Sequence, residues 1–148
     1  MITNTGSVTI LLVEDDLGHA RLIEKNLRRN NIANDIVKLD DGQKAVNYIF
    51  STGEFSGNAR PKPVLVLLDL NLPVLSGYQV LQRMKNDDTT RHIPVVILTT
   101  TDDSREVQKC YDLGCNIYIT KPVDYNQFTE AIRKIGLFLS IVQVPSGA

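Results

Sequence analysis

The sequence predicts an α/β fold: a doubly wound sandwich in which helices cover both faces of a five-stranded parallel sheet. Two patterns support this prediction. Unbroken apolar runs rich in valine, isoleucine and leucine recur along the chain, which is typical of strands buried on both faces. Segments whose apolar residues recur every three or four positions, as in amphipathic helices, separate these runs. The runs lie at residues 8–13, 35–39, 64–68, 93–98 and 117–120.

Five helices follow from the spacing of the apolar residues after each run. The predicted stripes are Leu17, Ala20, Ile23 and Leu27; Ala45, Val46, Ile49 and Phe50; Gly77, Val80, Leu81 and Met84; Val107, Cys110, Tyr111 and Gly114; and Phe128, Ile132, Ile135 and Leu139. Each stripe is expected to face the core. The last helix is predicted to be extended, over about residues 124–142.

The connections restrict the topology of the sheet. Right-handed crossovers leave few arrangements, and the strand order 2-1-3-4-5 of flavodoxin-like folds is the common one for a small domain. Residues 51–63, rich in Gly, Ser and Pro, are predicted to form a long loop before the third strand. A length of 148 residues suits one domain. We expect a flexible tail at 1–7, a single domain at 8–144 and a tail at 145–148.

The composition excludes several classes of protein. Lys and Arg number 16 and Asp and Glu 17, so the net charge of −1 gives no general attraction to nucleic acid or to an acidic membrane. The first seven residues lack the features of a signal peptide, and the apolar runs are too short to cross a bilayer. Cys110 and Cys115 lack the spacing of a zinc site and are expected to be buried and reduced. A cytoplasmic location with no direct nucleic-acid or membrane partner is therefore predicted.

Polar residues follow four of the apolar runs at the point where each run ends. Three acids at 14–16 follow the first run, Asp69 the third, Thr99 the fourth and Lys121 the fifth. Because the carboxyl ends of parallel strands form one edge of the sheet, these residues are expected to converge. A single polar residue at a strand end is commonly a helix cap or a turn residue, but four together at one edge are harder to explain in that way.

The expected cluster suits a divalent metal and a phosphoryl group. Neighbouring carboxylates repel, and a hard cation such as Mg²⁺ accepts an all-oxygen site. Lys121 and Thr99 can hold phosphoryl oxygens, and Asp69 can attack phosphorus and carry an aspartyl-phosphate.

Four motifs resemble, in order and spacing, the receiver domains of two-component response regulators. They are VEDD at 13–16, LLDLNLP at 67–73, LTT at 98–100 and TKP at 120–122, and the resemblance covers about residues 9–135. It implies that a histidine kinase phosphorylates Asp69 in a Mg²⁺-dependent reaction, with Mn²⁺ or Ca²⁺ able to replace Mg²⁺. It also implies relay of the signal by conformational change and protein contact. On this view the chain is not an enzyme, but a switch that assists its own phosphorylation and dephosphorylation.

The resemblance also implies roles for single residues. Asp15 and Asp69 would bind the metal directly, Glu14 would act through water, and Asn71 would offer its backbone carbonyl. Thr99 would be the switch hydroxyl, and Lys121 would bind the phosphoryl group, with a cis bond between Lys121 and Pro122.

Three positions near these motifs carry further expectations. Tyr118 would be the aromatic switch residue, although a static half-buried tyrosine is the alternative. Thr100 stands where most of the family has alanine, so it is expected to slow phosphoryl access or to tune turnover. Asp16 is expected to cap the first helix, with contact to the outer shell of the metal as the alternative. His19 and His92 are expected to be plain surface histidines.

The long loop and the apolar end of the last helix resemble the stand-alone response regulators of cyanobacterial and bacterial phytochromes, which implies a phytochrome as a possible kinase. Independently, residues 135–144 have almost no polar face, so a homodimer through this helix is predicted. Folding of the helix back onto its own domain is the alternative. The predicted interface residues are Ile135, Leu137, Phe138, Leu139, Ile141 and Val142.

Two other functions compete with the phosphorylated switch. A Mg²⁺-dependent phosphohydrolase using an aspartyl-phosphate would need an acid or base two residues after its nucleophile, but Asn71 occupies that place. A receiver-like binding module independent of phosphorylation would not need the acids, the threonine and the lysine together. The sequence therefore favours the switch, acting through protein contacts.

Overall fold

The structure is a computed structural model that describes residues 9–57, 63, 65–121, 126–127, 129–131 and 133–134. The predicted tails, the dimer-interface candidates from Ile135 to Val142, and Pro122 with its predicted cis bond lie outside these residues. Within the predicted last helix, the described residues are helical. None of the described helices has the length and the apolar content needed to cross a bilayer.

Five parallel strands form one sheet, and the predicted order is confirmed: β2-β1-β3-β4-β5. In the register, Val13 lies opposite Leu39 and Leu68, and Thr99 lies opposite Thr120. The carboxyl ends of the strands are therefore level along one edge. The strands are β1 (Thr9–Val13), β2 (Asp35–Leu39), β3 (Leu65–Leu68), β4 (Val95–Thr99) and β5 (Ile117–Thr120).

One strand boundary was predicted wrongly. The fourth apolar run begins at Ile93, but β4 begins at Val95. Pro94 has no N–H to donate to a ladder, so it stands just before the strand and contributes only its carbonyl, which accepts from the Val66 N–H at 3.0 Å.

Four helices connect the strands, and a polar side chain caps the start of each. Asp16, Asp41, Ser76 and Asp103 accept a hydrogen bond from a backbone N–H in the first turn of their helices, and Ser76 forms a capping box with Gln79. The helices are α1 (Leu17–Arg29), α2 (Gly42–Phe50), α3 (Gly77–Lys85) and α4 (Ser104–Leu113). The predicted loop at 51–63 contains a short 3-10 helix, Gly53–Phe55.

The core has two layers, one on each face of the sheet. On one face Leu11, Val66 and their neighbours pack with α2 and α3, and on the other Ile10, Leu67 and their neighbours pack with α1. Cys110 and Cys115 are buried free thiols, as predicted. Burial raises the pKa of Cys110 to about 11 and that of Cys115 to about 12, so both are inert at neutral pH.

Three residues of the predicted stripes are exposed among those the structure describes: Leu17, Tyr111 and Gly114, the last of which follows α4 as its C-cap. Leu17, the first residue of α1, is 67% exposed. Tyr111 is 44% exposed, and its hydroxyl accepts from the Tyr118 N–H of β5 at 3.1 Å. Tyr111 therefore covers the edge of the sheet rather than filling the core.

Candidate functional site

The strand ends bring the predicted site residues to one edge of the sheet. Glu14 and Asp69 directly follow β1 and β3, Thr99 ends β4, and Lys121 directly follows β5. Backbone hydrogen bonds extend the sheet into the site: the Asp69 N–H donates to the Val13 carbonyl at 3.1 Å, and the Lys121 N–H donates to the Thr99 carbonyl at 2.6 Å. The side chains therefore project from a rigid frame.

The start of α3 fixes the backbone of Asp69 from behind. The Gly77 N–H donates to the Leu70 carbonyl at 2.9 Å. A Cβ on Gly77 would lie 2.2 Å from the carbonyl oxygen of Asp69, so only glycine allows α3 to begin this close to the strand end. This close approach explains why the first residue of α3 is glycine.

Three carboxylates converge at the edge. Glu14, Asp15 and Asp69 each place a carboxylate oxygen within 4.8 Å of those of the other two. Glu14 and Asp69 are buried, whereas Asp15 is exposed. The Asp16 carboxylate instead accepts from the His19 N–H at 3.0 Å, so the predicted capping role is confirmed. The three converging carboxylates supply an all-oxygen donor set open to solvent on one side, which fits a hard divalent cation such as Mg²⁺.

Lys121 is the positive charge within this cluster. Its Nζ donates to Glu14 Oε1 at 2.5 Å and to Asp69 Oδ2 at 3.2 Å. Burial opposes the charge on Lys121, but the hydrogen bond to Glu14 and the nearby Asp69 carboxylate outweigh burial and raise the pKa above its ordinary value. Lys121 is therefore a permanent ammonium at neutral pH.

The surroundings of Glu14 disfavour the charged form of its carboxyl group. Burial raises its pKa, and the charge of Asp69 adds to that effect. The hydrogen bonds from Lys121 and from the Asp16 N–H lower it again, but not enough, and the pKa remains above its ordinary value. One ammonium does not neutralise three acids, so the cluster is short of positive charge.

Asn71 and the two threonines form the opposite wall of the site. The Asn71 N–H donates to Asp69 Oδ1 at 3.0 Å. Its side-chain amide donates to the hydroxyls of Thr99 at 3.3 Å and Thr100 at 3.4 Å. Thr99 is fully buried and Thr100 is exposed. A single amide thus links the segment that follows Asp69 to the hydroxyls of Thr99, at the end of β4, and of Thr100.

Tyr118 lies on β5, which β4 separates from the strand that ends before Asp69. It is half-buried, and its hydroxyl donates to the Thr101 carbonyl at 2.6 Å. Tyr118 is therefore bonded to the loop that follows Thr99. Burial raises the pKa of Tyr118 to about 12, so the hydroxyl stays protonated.

His19 is the site residue that sequence reasoning missed. Its side chain is 47% exposed, as predicted for a surface histidine, yet its Nδ1 lies 3.3 Å from Lys121 Nζ. Position 19 carries no local signal for this contact, because its partner lies 102 positions away. His92, also exposed, precedes β4 and so lies at the amino edge of the sheet, away from the site.

Comparison with known proteins agrees with this geometry. The family model described as "Response regulator receiver domain" matches residues 10–133. The chain belongs to the response regulator receiver domain family. The predicted resemblance is thus confirmed, and this receiver domain is a signalling switch of the phosphoacceptor class.

Three relatives are similar to this receiver domain over most of its length. Response regulator Rcp1 of Synechocystis sp. is 36% identical over 138 residues, which are 93% of this chain and 92% of Rcp1. A structure of the Mn²⁺-bound form of Rcp1 has a TM-score of 0.77 at 35% identity, with 89% of this chain and 94% of the other covered. A receiver domain from Rhodospirillum rubrum has a TM-score of 0.75 at 57% identity, with 93% and 97% covered. The phosphorylated cyanobacterial phytochrome response regulator RcpA has a TM-score of 0.77 at 36% identity, with 90% and 95% covered.

Proposed function

We propose that Asp69 is the phosphoacceptor of this receiver domain and that a histidine kinase supplies the phosphoryl group. The observation that carries the proposal is the buried Asp69 carboxylate, which contacts the Lys121 ammonium at 3.2 Å among acids that fit a divalent cation. An oxygen of Asp69 attacks phosphorus, the bond from phosphorus to the donor breaks, and the donor leaves with its electron pair.

Mg²⁺ is the proposed metal, held by Glu14, Asp15 and Asp69 together with the backbone carbonyl of Asn71. Three carboxylates within 4.8 Å and one ammonium leave an excess of negative charge that a divalent cation offsets. When bound, the metal neutralises charge on the incoming phosphodonor. The Mn²⁺-bound form of Rcp1 supports a divalent site in this family and the prediction that Mn²⁺ substitutes for Mg²⁺.

Lys121 and Thr99 are the proposed phosphoryl-binding residues. The ammonium already contacts Asp69, so a phosphoryl group on Asp69 comes within its reach. The Thr99 hydroxyl accepts from the Asn71 amide at 3.3 Å, which leaves its proton free for a phosphoryl oxygen. The Thr100 side chain narrows the space through which a phosphoryl group approaches Thr99.

Tyr118 is the residue proposed to respond to phosphorylation of Asp69. A shift of Thr99 moves the loop whose Thr101 carbonyl accepts a hydrogen bond from the Tyr118 hydroxyl. The new position of this loop is a pre-existing state that phosphorylation favours.

The groups that bind the phosphoryl group also assist its hydrolysis, in which water attacks phosphorus and releases phosphate and the Asp69 carboxylate. The domain thus promotes both steps of its own switching.

The partners are proposed from the relatives and from the sequence. Similarity to a phytochrome response regulator supports a phytochrome as the kinase. The apolar stretch from Ile135 to Val142 supports a homodimer. The net charge of −1 supports action through protein contacts rather than on nucleic acid or a membrane. Sedimentation at micromolar concentration, with and without phosphorylation, tests the dimer; a monomer in both states would exclude it.

Phosphorylation is tested by incubation with acetyl phosphate and Mg²⁺, followed by intact-mass measurement. The wild-type chain is expected to gain one phosphoryl group, only when Mg²⁺ is present. Asp69→Asn is expected to gain none. Asp103→Asn, the same substitution at the exposed cap of α4, is the matched control and is expected to behave as the wild type. Equal phosphorylation of Asp69→Asn would exclude Asp69 as the acceptor.

A further inference from the structure

His19 stands beside the proposed phosphoryl-binding lysine. It lies in the first turn of α1, where its own N–H is held by the Asp16 carboxylate at 3.0 Å. From there the ring reaches across to the end of β5 and brings Nδ1 to 3.3 Å from Lys121 Nζ. The contact joins two elements that meet at the solvent side of the acid cluster.

The direction of this hydrogen bond follows from the chemistry of the two groups. An ammonium has three donors and no acceptor, and those of Lys121 are directed at Glu14, Asp69 and His19. Nδ1 of His19 can therefore only accept in this contact, which requires the tautomer that carries its proton on Nε2. The same Nδ1 lies 3.8 Å from Asp16 Oδ2, which is too long for a hydrogen bond.

We propose that His19 is a positioning residue. It holds the Lys121 ammonium in place while the hydrogen bond that Lys121 donates to an Asp69 oxygen is replaced by one to a phosphoryl oxygen. The inference rests on the proposed role of Asp69 as phosphoacceptor. Of the three partners of Lys121, Asp69 is the one that reacts, and Glu14 is a proposed metal ligand. His19 takes part in neither change, so its hydrogen bond persists through the reaction.

A neutral acceptor suits this position better than an acid would. The cluster already carries three carboxylates, and a fourth near the phosphoryl group would repel it. An imidazole nitrogen accepts from the ammonium without adding charge. An asparagine should replace it, because Oδ1 of Asn stands two bonds from Cβ as Nδ1 of His does, whereas leucine fills similar space without an acceptor.

The test compares His19→Asn and His19→Leu with the wild type, and His92→Leu serves as the matched control on an exposed histidine away from the site. Two quantities are measured with Mg²⁺ present: the rate of phosphorylation by acetyl phosphate, from intact mass, and the affinity for fluoroberyllate, a phosphoryl mimic, from ¹⁹F NMR. Loss of one hydrogen bond to a charged group predicts a five- to tenfold decrease in both for His19→Leu, on the order of 1 kcal/mol. His19→Asn should stay within about twofold of the wild type, as should His92→Leu.

A second comparison separates positioning from a general structural effect. In a Lys121→Met background, His19→Leu should have no further effect on fluoroberyllate affinity, because its partner is gone. Wild-type values for His19→Leu, no rescue by asparagine, or equal losses with and without Lys121 would each overturn the role of His19 while leaving the phosphoacceptor intact. Failure of the wild type itself to gain a phosphoryl group or to bind fluoroberyllate would overturn the proposed function, and this inference with it.

Discussion

Replacing Asp69 by asparagine is expected to stabilise the metal-free protein. Asp69 is a buried carboxylate with one ammonium at 3.2 Å and two other carboxylates within 4.8 Å. The substitution keeps the size of the side chain and its capacity to accept the Asn71 N–H; it removes the negative charge and, with it, the acceptor that Oδ2 offers to Lys121. Its effect on the free energy of unfolding therefore reports whether the charge of Asp69 favours or opposes folding.

The pairwise terms for Asp69 nearly cancel. At an effective dielectric constant of 20, attraction to Lys121 at 3.2 Å amounts to about 5 kcal/mol, and repulsion from Glu14, which lies within 4.8 Å, to about 3.5 kcal/mol or more. The exposed Asp15 adds roughly 1 kcal/mol of repulsion when screened as in water. Desolvation of the buried carboxylate, several kcal/mol before its hydrogen bonds are counted, then decides the sign. We expect Asp69→Asn to raise the free energy of unfolding by about 1–3 kcal/mol.

Urea unfolding in EDTA and in Mg²⁺ measures both this gain and the part played by the metal. At a Mg²⁺ concentration ten times its dissociation constant, binding should stabilise the wild type by about 1.4 kcal/mol. Asp69→Asn should gain much less, because one of its three acids is gone. The free energies of unfolding of the two proteins should therefore converge as Mg²⁺ is added.

Either of two results would refute this reasoning. A variant less stable than the wild type in EDTA would mean that the contact between Asp69 and Lys121 outweighs burial and repulsion together. Equal stabilisation of both proteins by Mg²⁺ would mean that Asp69 is not a ligand. Asp103→Asn should respond to Mg²⁺ as the wild type does and controls for the loss of one acid.

Three further predictions follow from single features of the structure. Val74 is a β-branched residue at a φ of +71° and is 73% exposed, so Val74→Asn should relieve strain and raise stability by about 1 kcal/mol, seen as a higher Tm; an unchanged Tm would count against strain. Gly77→Ala, whose Cβ would meet the Asp69 carbonyl at 2.2 Å, should lower stability by roughly 2 kcal/mol in urea unfolding, whereas Gly18→Ala, facing only a side-chain atom at 3.2 Å, should be far milder. The raised pKa of Glu14 means that between its ordinary value of 4.5 and its folded value the native state binds more protons, so this group makes stability fall as pH rises through that window. Urea midpoints in EDTA across the window should show this slope in the wild type and not in Glu14→Gln; identical slopes would exclude Glu14 as its source.

The fold and the main site residues were predictable because their signals are local. Four of the five apolar runs are followed directly by a residue of the candidate site, and parallel strands necessarily align those ends. Asp69 and Lys121 could therefore be placed together although 52 positions separate them. The capping role of Asp16 was predictable for the same reason, since a cap and its helix are neighbours in sequence.

Contacts made by side chains across elements were not predictable. The meeting of His19 with Lys121 depends on how far α1 stands from the end of β5, and no periodicity encodes that distance. Leu17 continues an apolar stripe but is 67% exposed at the first position of α1. A stripe gives the direction in which a side chain points along its helix, but not whether another element lies there to cover it.

The fourth helix, α4, is buried less than its apolar stripe predicts. Its stripe reads like those of the other helices, yet of the residues of α4, all of them described, Cys110 alone is buried. Leu113 packs against the core while partly exposed. Tyrosine side chains add two hydrogen bonds: the Tyr78 hydroxyl donates to the Glu106 carbonyl at 3.2 Å, and the Tyr111 hydroxyl accepts from the Tyr118 N–H at 3.1 Å. Hydrogen bonds at a half-exposed surface are exchanged for water at little net loss, whereas a buried apolar face is not. An element held in this way can change position while the sheet stays fixed, so we expect motion that starts at Thr99 to be expressed in α4 before any other helix among the described residues.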